Sequence, residues 1–266
     1  MRRLLLLLGT MALGLVLGIY VLPSEGSVEL GPTTIDRGKG MTVLRGAIFR
    51  GARDVGTLVA IYADLSRSEP IIVETQGRPL SEVTPDALAV VNGSFFTPED
   101  RPTGLLVSEG VRLHPFVAKG GAAGSGVLTI EGRQVQLHER AGFKVGRPRF
   151  AVQAGPRILE PTGERGIRTD DGLRANRTLI GGSADGRLAM AVVHGREGGH
   201  GLGLSLFELQ EMLALLAERH PELAWASALN LDGGDSTGLW VSTPRVRLRE
   251  TVSVPFALAL RARSAP

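Results

Sequence analysis

Leu204-Ser205-Leu206-Phe207-Glu208-Leu209 and Ala226-Ser227-Ala228-Leu229-Asn230-Leu231-Asp232-Gly233-Gly234-Asp235-Ser236-Thr237 bracket the stretch on which the fold turns. Ser205 and Glu208 stand at capping-box spacing, serine and glutamate each satisfying a free backbone N–H at a helix start. Leu206, Leu209, Leu213 and Leu216 then recur at helical intervals, and His220-Pro221 ends the run because proline cannot continue a helix. Ala226 to Leu231 is an apolar run of strand length. It ends in an acid, two glycines, a second acid and two hydroxyls. Glycines let a backbone adopt positive φ and approach a ligand closely. Successive N–H groups in such a turn form an anion-binding nest. The bland reading is a tight turn with a capping aspartate. The density of acids and hydroxyls around two glycines favours a functional loop set on a rigid scaffold.

Outward from this stretch, short strands predominate. Thr178 to Gly181 and Leu188 to Val193 flank Asp185-Gly186 and read as a hairpin, as do Gly126–Ile130 and Gln134–Leu137 around Glu131-Gly132. Residues 41–45, 56–62 and 70–74 are further β-rich runs between turn residues. Thr84-Pro85-Asp86 resembles a helix N-terminus and predicts a short helix there. Late strands are expected around 238–241 and 252–260. The expected class is α+β: many short strands in a mixed sheet, one long helix and one or two short ones.

The N-terminus has a separate character. Met1-Arg2-Arg3 precedes nineteen uncharged residues, Leu4 to Leu22. That length approaches a membrane span. It predicts a signal anchor over 1–22 with the domain outside, the cleaved signal peptide being the alternative. Residues 23–40, rich in Gly, Ser, Pro and Thr, read as a linker, and 41–262 as the domain. The expected location is the cell envelope, membrane-anchored with an extracytoplasmic domain, or secretion.

Composition removes other classes. The 266 residues contain no cysteine, which excludes disulfides, thiolate metal sites and cysteine nucleophiles. The formal charge is only +3, and 21% of residues are charged. Only Lys39, Lys119 and Lys144 are lysines; the other basic residues are scattered arginines, without the single stripe of a nucleic-acid binder. Arginine's planar fork suits phosphate or carboxylate.

Two further motifs bear on chemistry. Asn92-Gly93-Ser94-Phe95-Phe96 follows an apolar run, and a plain turn is its bland reading. Gln153-Ala154-Gly155-Pro156 punctuates another strand end, and Arg177-Thr178 opens the later hairpin. His194 and His200 flank a glycine-rich segment at the expected site rim. Their spacing lacks the HExxH pattern of zinc hydrolases, so solvent-exposed loop histidines are the simpler reading.

Together these blocks, in this order, resemble the phosphodiester glycosidase family. The resemblance covers residues 90–240, and the whole 41–262 domain is placed with it. The Asn230–Thr237 block is the most specific. The resemblance implies hydrolysis at an anomeric carbon bearing a phosphodiester, with Asp232 as general base or nucleophile and Arg177 on the phosphate. Glu208 is implied as a partner carboxylate, against its simpler capping role, and Asp235 is the other candidate partner. Asn92, Gly93, Gln153, Gly155, His194, Asn230, Gly233, Gly234, Asp235, Ser236 and Thr237 are the implied substrate-binding set. Two departures stand out: Ser94 and Asp235 replace family glycines, and Asp235 brings a negative charge beside the proposed phosphate nest.

No cofactor is required by these residues. A calcium ion between Asp232 and Asp235 is the one cation they leave open. The expected partners are a carbohydrate or sugar-phosphate substrate and, through residues 1–22, a membrane. Two rivals remain: a glycosidase acting on an unphosphorylated glycan, and a non-catalytic carbohydrate-binding or envelope-assembly protein. Two Trp and two Tyr offer few sugar platforms, which weighs against the second.

Overall fold

The computed structural model describes residues 27–196 and 203–263. The expected anchor, residues 23–26 of the expected linker, and His200 lie outside the described residues. A seven-stranded sheet runs β1 (Val28–Gly38), β2 (Met41–Arg50), β3 (Arg53–Ala63), β13 (Leu188–Gly195), β12 (Arg177–Ser183), β14 (Trp225–Asn230), β11 (Arg157–Leu159). A five-stranded sheet runs β7 (Val111–His114), β6 (Leu106–Ser108), β10 (Phe150–Ala154), β8 (Gly126–Glu131), β9 (Gln134–Glu139). A third runs β16 (Val246–Leu248), β15 (Leu239–Val241), β5 (Ala87–Asn92), β17 (Phe256–Ala262), β4 (Ser68–Glu74). Strands dominate, so the fold is predominantly β rather than evenly α+β. The ladders pair antiparallel, not mixed.

Strand alternation builds two cores from one sheet. Val59, Ile61 and Met190 face the two five-stranded sheets, meeting Leu128, Val152, Val91 and Leu258. Leu58, Ala60, Tyr62 and Ala191 face the opposite way, under the helix α1 (Leu206–Arg219). The capping box forms as its spacing predicts: Ser205 Oγ accepts from Glu208 N at 3.1 Å, and Glu208 Oε2 accepts from Ser205 N at 2.9 Å. Leu209, Met212, Leu213 and Leu216 bury the inner face of α1. Full burial of such side chains stabilises by about 1.5–3 kcal/mol each.

Two expectations are corrected. Residues 28–38 form edge strand β1, not linker; Pro32 is tolerated because the register shifts at a bulge between Leu30 and Thr33. Ala87–Asn92, expected to follow a helix start, is a fully buried strand between β15 and β17. A short apolar run buried on both faces has no periodicity to separate strand from helix. The short helical turn lies earlier, at Leu80–Glu82.

Gly181 shows how closely the central strands approach. A β-carbon there would lie 1.9 Å from Ser227 O, whereas one on Gly182 would meet nothing nearer than 3.5 Å. Gly181→Ala is expected to destabilise by about 3 kcal/mol, as a small-to-large change in a tight core does. Gly182→Ala should stay within ~1 kcal/mol. Urea unfolding of the two variants tests the contrast, and equal losses would refute it.

Candidate functional site

Asn92, at the end of β5, is fully buried and joins three elements. Its Nδ2 donates to Asp232 O at 2.8 Å. Its Oδ1 accepts from Thr178 Oγ1 at 2.7 Å and from Gly238 N at 3.2 Å. Leu231 N donates to Thr178 O at 2.9 Å, so β5, β12 and the loop after β14 are locked together. Gly93 is required by close approach: a β-carbon would sit 2.7 Å from Phe256 O.

The 232–237 loop is ordered from within. Asp232 Oδ1 accepts from Gly233 N at 2.9 Å, and the Ser236 side chain also hydrogen-bonds the carboxylate. Gly234 sits at φ 62°, which favours glycine. Gly233 packs so near Asn176 O that a β-carbon would lie 2.9 Å from it. Gly234 N donates to that same Asn176 O at 2.9 Å. Both glycine N–H groups therefore have partners within the protein. The expected nest of Gly233 and Gly234 donors is not open, because the loop uses them to hold itself and Asp232. Burial raises the Asp232 carboxyl above its ordinary value, and the Ser236 and Gly233 hydrogen bonds oppose that rise.

Arg177 stands beside this loop. Its Nε donates to Leu204 O at 2.8 Å, and its Nη2 donates to Leu173 O. Its Nη1 has no partner among the described residues and lies near Gly233: a β-carbon built there would lie 4.0 Å from it. Burial lowers the guanidinium's pKa, opposed by the charges of Asp171 and Glu208. No salt bridge joins Arg177 to Asp232. Two charged groups, each disfavoured by burial and neither neutralised by the other, is an arrangement found at functional sites.

The remaining implied residues divide. Glu208 is 2% exposed and held by Arg50 at 2.9 and 2.8 Å, by Arg174 at 3.1 and 3.2 Å, and by the cap. Its carboxylate thus serves the capping role and holds two arginines to the helix start. Gln153 uses all of its amide: Oε1 accepts from Leu105 N and Val117 N at 3.0 Å, and Nε2 donates to Val117 O at 2.8 Å and Gly124 O at 3.0 Å. Gly155 is packed so tightly that a β-carbon would lie 2.1 Å from Ala122 O. Asn230 Nδ2 donates to Gly155 O at 3.1 Å and Leu231 O at 2.8 Å. Asn92, Gln153, Gly155 and Asn230 thus brace the loops. Thr237 is buried at 1% with an unpartnered Oγ1, and Asn230 Oδ1 is also unpartnered.

A cleft of about 1090 Å³ opens against the same loop. His194, Gly234 and Asp235 line it, with Thr57, Asn176, Arg196, Arg247, Arg249, Glu250 and Thr251 among the others. His194 presents Nδ1 to Gly195 O at 3.0 Å and Nε2 to Arg249 O at 3.3 Å. Asp235 has a partner outside the loop: its Oδ1 accepts from Thr251 Oγ1 at 3.0 Å. The two aspartates thus have separate hydrogen-bond partners. Among the described residues, no three His, Asp or Glu side chains are grouped to hold a metal. Asp232 and Arg177 are not on the cleft wall; they meet it through the Gly233–Asp235 turn. Asn176, Arg247 and Arg249 escaped the sequence reading. They sit in no motif and come together only where the ends of β12 and β13 meet β16 and the segment after it.

The chain belongs to the phosphodiester glycosidase family, whose family model matches residues 85–261. No curated protein matches it in sequence. Its fold is shared with a hypothetical protein from Synechocystis at 15% identity and a TM-score of 0.58, covering 87% of this chain and 64% of that one. This chain therefore spans less than two thirds of that relative. The catalytic domain of zebrafish N-acetylglucosamine-1-phosphodiester alpha-N-acetylglucosaminidase matches at 16% identity and a TM-score of 0.56, covering 90% of this chain and 85% of that one. A candidate exported protein from Burkholderia pseudomallei matches at 15% and 0.54, covering 79% and 75%.

Proposed function

We propose that this protein hydrolyses a glycosyl-1-phosphodiester, releasing the sugar from a phosphate-linked partner. The observation that carries this reading is the state of the carboxylates. Of Asp232, Glu208 and Asp235, only Asp232 is both half-buried and free of a charged or side-chain clamp from outside its own loop. Hydrolysis of a plain glycoside calls for two carboxylates, one of them an acid for the leaving oxygen. A phosphodiester leaves as a stabilised anion and needs little protonation, so one carboxylate and one cation suffice. Asp232 takes a proton from the attacking water. Arg177 Nη1 faces the departing phosphate, while Nε and Nη2 keep the guanidinium in place. The cleft takes the body of the substrate.

Export follows from the charged and then apolar N-terminus, and the work in view is on an envelope or exopolysaccharide glycan. Among the described residues no helix is long and apolar enough to cross a membrane.

The test is a panel of sugar-1-phosphodiesters and aryl glycosides. Sugar release from the phosphodiesters alone supports the proposal; turnover of aryl glycosides alone overturns it. Arg177→Ala should lower kcat/KM for phosphodiesters by roughly 10²–10³-fold, the cost of removing one preorganised donor. Arg177→Lys should fall nearly as far, because an ammonium cannot hold the carbonyls of Leu204 and Leu173 and still face the phosphate. A fully active lysine variant would remove Arg177 from this role.

A further inference from the structure

On the side of β16 the cleft leads onto a strip of arginine. Arg245, Arg247 and Arg249 occupy every second position along β16 and its flanks, and all three are exposed. Val246 and Leu248 alternate with them and pack against the main core. Arg247 alternates with Val246 and Leu248 within the strand, and Arg245, in the turn before it, and Arg249, just after it, continue the same exposed–covered alternation, at a spacing of about 7 Å for every second position of an extended chain. Arg247 and Arg249 line the cleft, so the strip leads directly into it. None of the three has a salt-bridge or side-chain hydrogen-bond partner among the described residues. Arg196, on the facing wall, is instead neutralised by Asp54 at 2.6 Å. A charge on an edge strand also guards against edge-to-edge pairing. One charge would serve that purpose; three exposed at alternate positions, two of them lining a cleft, exceed it.

We propose that this strip is a track for a polyanionic chain, and that the substrate is a polymer of phosphodiester-linked units held on both sides of the bond to be cut. This rests on the hydrolytic reading above and names its substrate class. Among the described residues the cleft lining contains no Phe, Tyr or Trp, so these offer no surface on which nucleobases would stack. The fitting polyanion is therefore a glycan or polyol phosphate without aromatic bases.

The experiment measures binding of labelled long-chain polyphosphate to the full chain by fluorescence polarisation across a salt series. Unlabelled poly(glycerol phosphate) and a single-stranded oligonucleotide of equal charge serve as competitors. Arg245→Gln/Arg247→Gln/Arg249→Gln should weaken binding by about 10-fold or more and flatten the log–log salt slope by roughly two, as loss of three phosphate contacts on a flexible chain does. Arg112→Gln/Arg133→Gln/Arg147→Gln changes net charge equally at exposed positions outside the cleft, and should leave affinity within about threefold. Equal losses in both triples, or no loss in the first, would overturn the track. So would an oligonucleotide that competes better than poly(glycerol phosphate). Turnover of small sugar phosphodiesters, assayed in parallel, reports on the hydrolytic reading alone: its absence strikes Asp232 and Arg177, while polyanion binding that does not depend on the three arginines strikes this proposal.

Discussion

Asp232→Asn is expected to lower kcat on a sugar-1-phosphodiester by on the order of 10³-fold, within the range lost with a general base. KM should change little. The asparagine can still accept from Gly233 N and Ser236, so the 232–237 loop keeps its shape while losing the base. The same substitution has an opposite consequence for stability. Burial raises the folded-state pKa of this carboxyl above its ordinary 3.8. A raised acid pKa means that the charged form is disfavoured in the folded protein. The protonated group's contribution is fully present below pH 3.8 and is lost as pH rises through the folded value. At pH 7 the wild type carries that penalty and the neutral amide does not. The variant should therefore melt at or above the wild type near neutrality, with the difference vanishing in acid. Rate and melting curves taken together decide the matter: an inactive variant that also melts lower at pH 7 would make Asp232 a structural residue. The wild-type pH–rate profile should likewise have its acidic limb above the ordinary aspartate range.

Much of this was legible in the sequence where local chemistry governs local structure. The capping box, the helix stop at His220-Pro221, and the hairpins around Asp185-Gly186 and Glu131-Gly132 are all found. These depend on residues within a few positions of one another. Where burial decides, the sequence misled. Ala87–Asn92 has no polar face because it lies at the centre of a sheet, and Val28–Gly38 hides its strand behind Gly31-Pro32. In the site, residue type was readable but direction was not. Asn92, Gln153 and Asn230 look like ligand-binding amides, yet their bonds run to backbone groups up to 146 positions away. Asp235 beside Asp232 suggested a pair, and only the fold shows that Asp235 is bonded to Thr251 and Asp232 within its own loop. Arg247 and Arg249 carry no motif at all, since their meaning comes from the cleft that distant strand ends build.

Glu208 is expected to matter to the fold rather than to the reaction. Glu208→Ala should destabilise by about 3–5 kcal/mol, the cost of breaking a buried ion pair by removing one partner. For a chain of this size that corresponds to a melting shift of roughly 10 °C. The reason lies in what would remain. Arg50 and Arg174, at 13% and 27% side-chain exposure, converge on this carboxylate and would face one another with the intervening negative charge gone. Ser205 N would lose its cap partner at the start of α1. Glu208→Gln should lose less, because an amide can still accept from Ser205 N and one arginine. A double-mutant cycle with Arg50→Ala separates these contributions: the double variant should be more stable than the sum of the singles predicts, since removing Arg50 also removes one of the stranded charges. Catalysis offers the sharper discrimination. Measured well below its melting transition, Glu208→Gln should keep kcat within about threefold, as a residue outside the reacting groups does, against the 10²–10⁴-fold losses of a true acid or base. A folded Glu208→Gln with kcat down a thousandfold would return Glu208 to the reaction and make the site a two-carboxylate one, and with that the case for a phosphodiester over a plain glycoside would lose its main support.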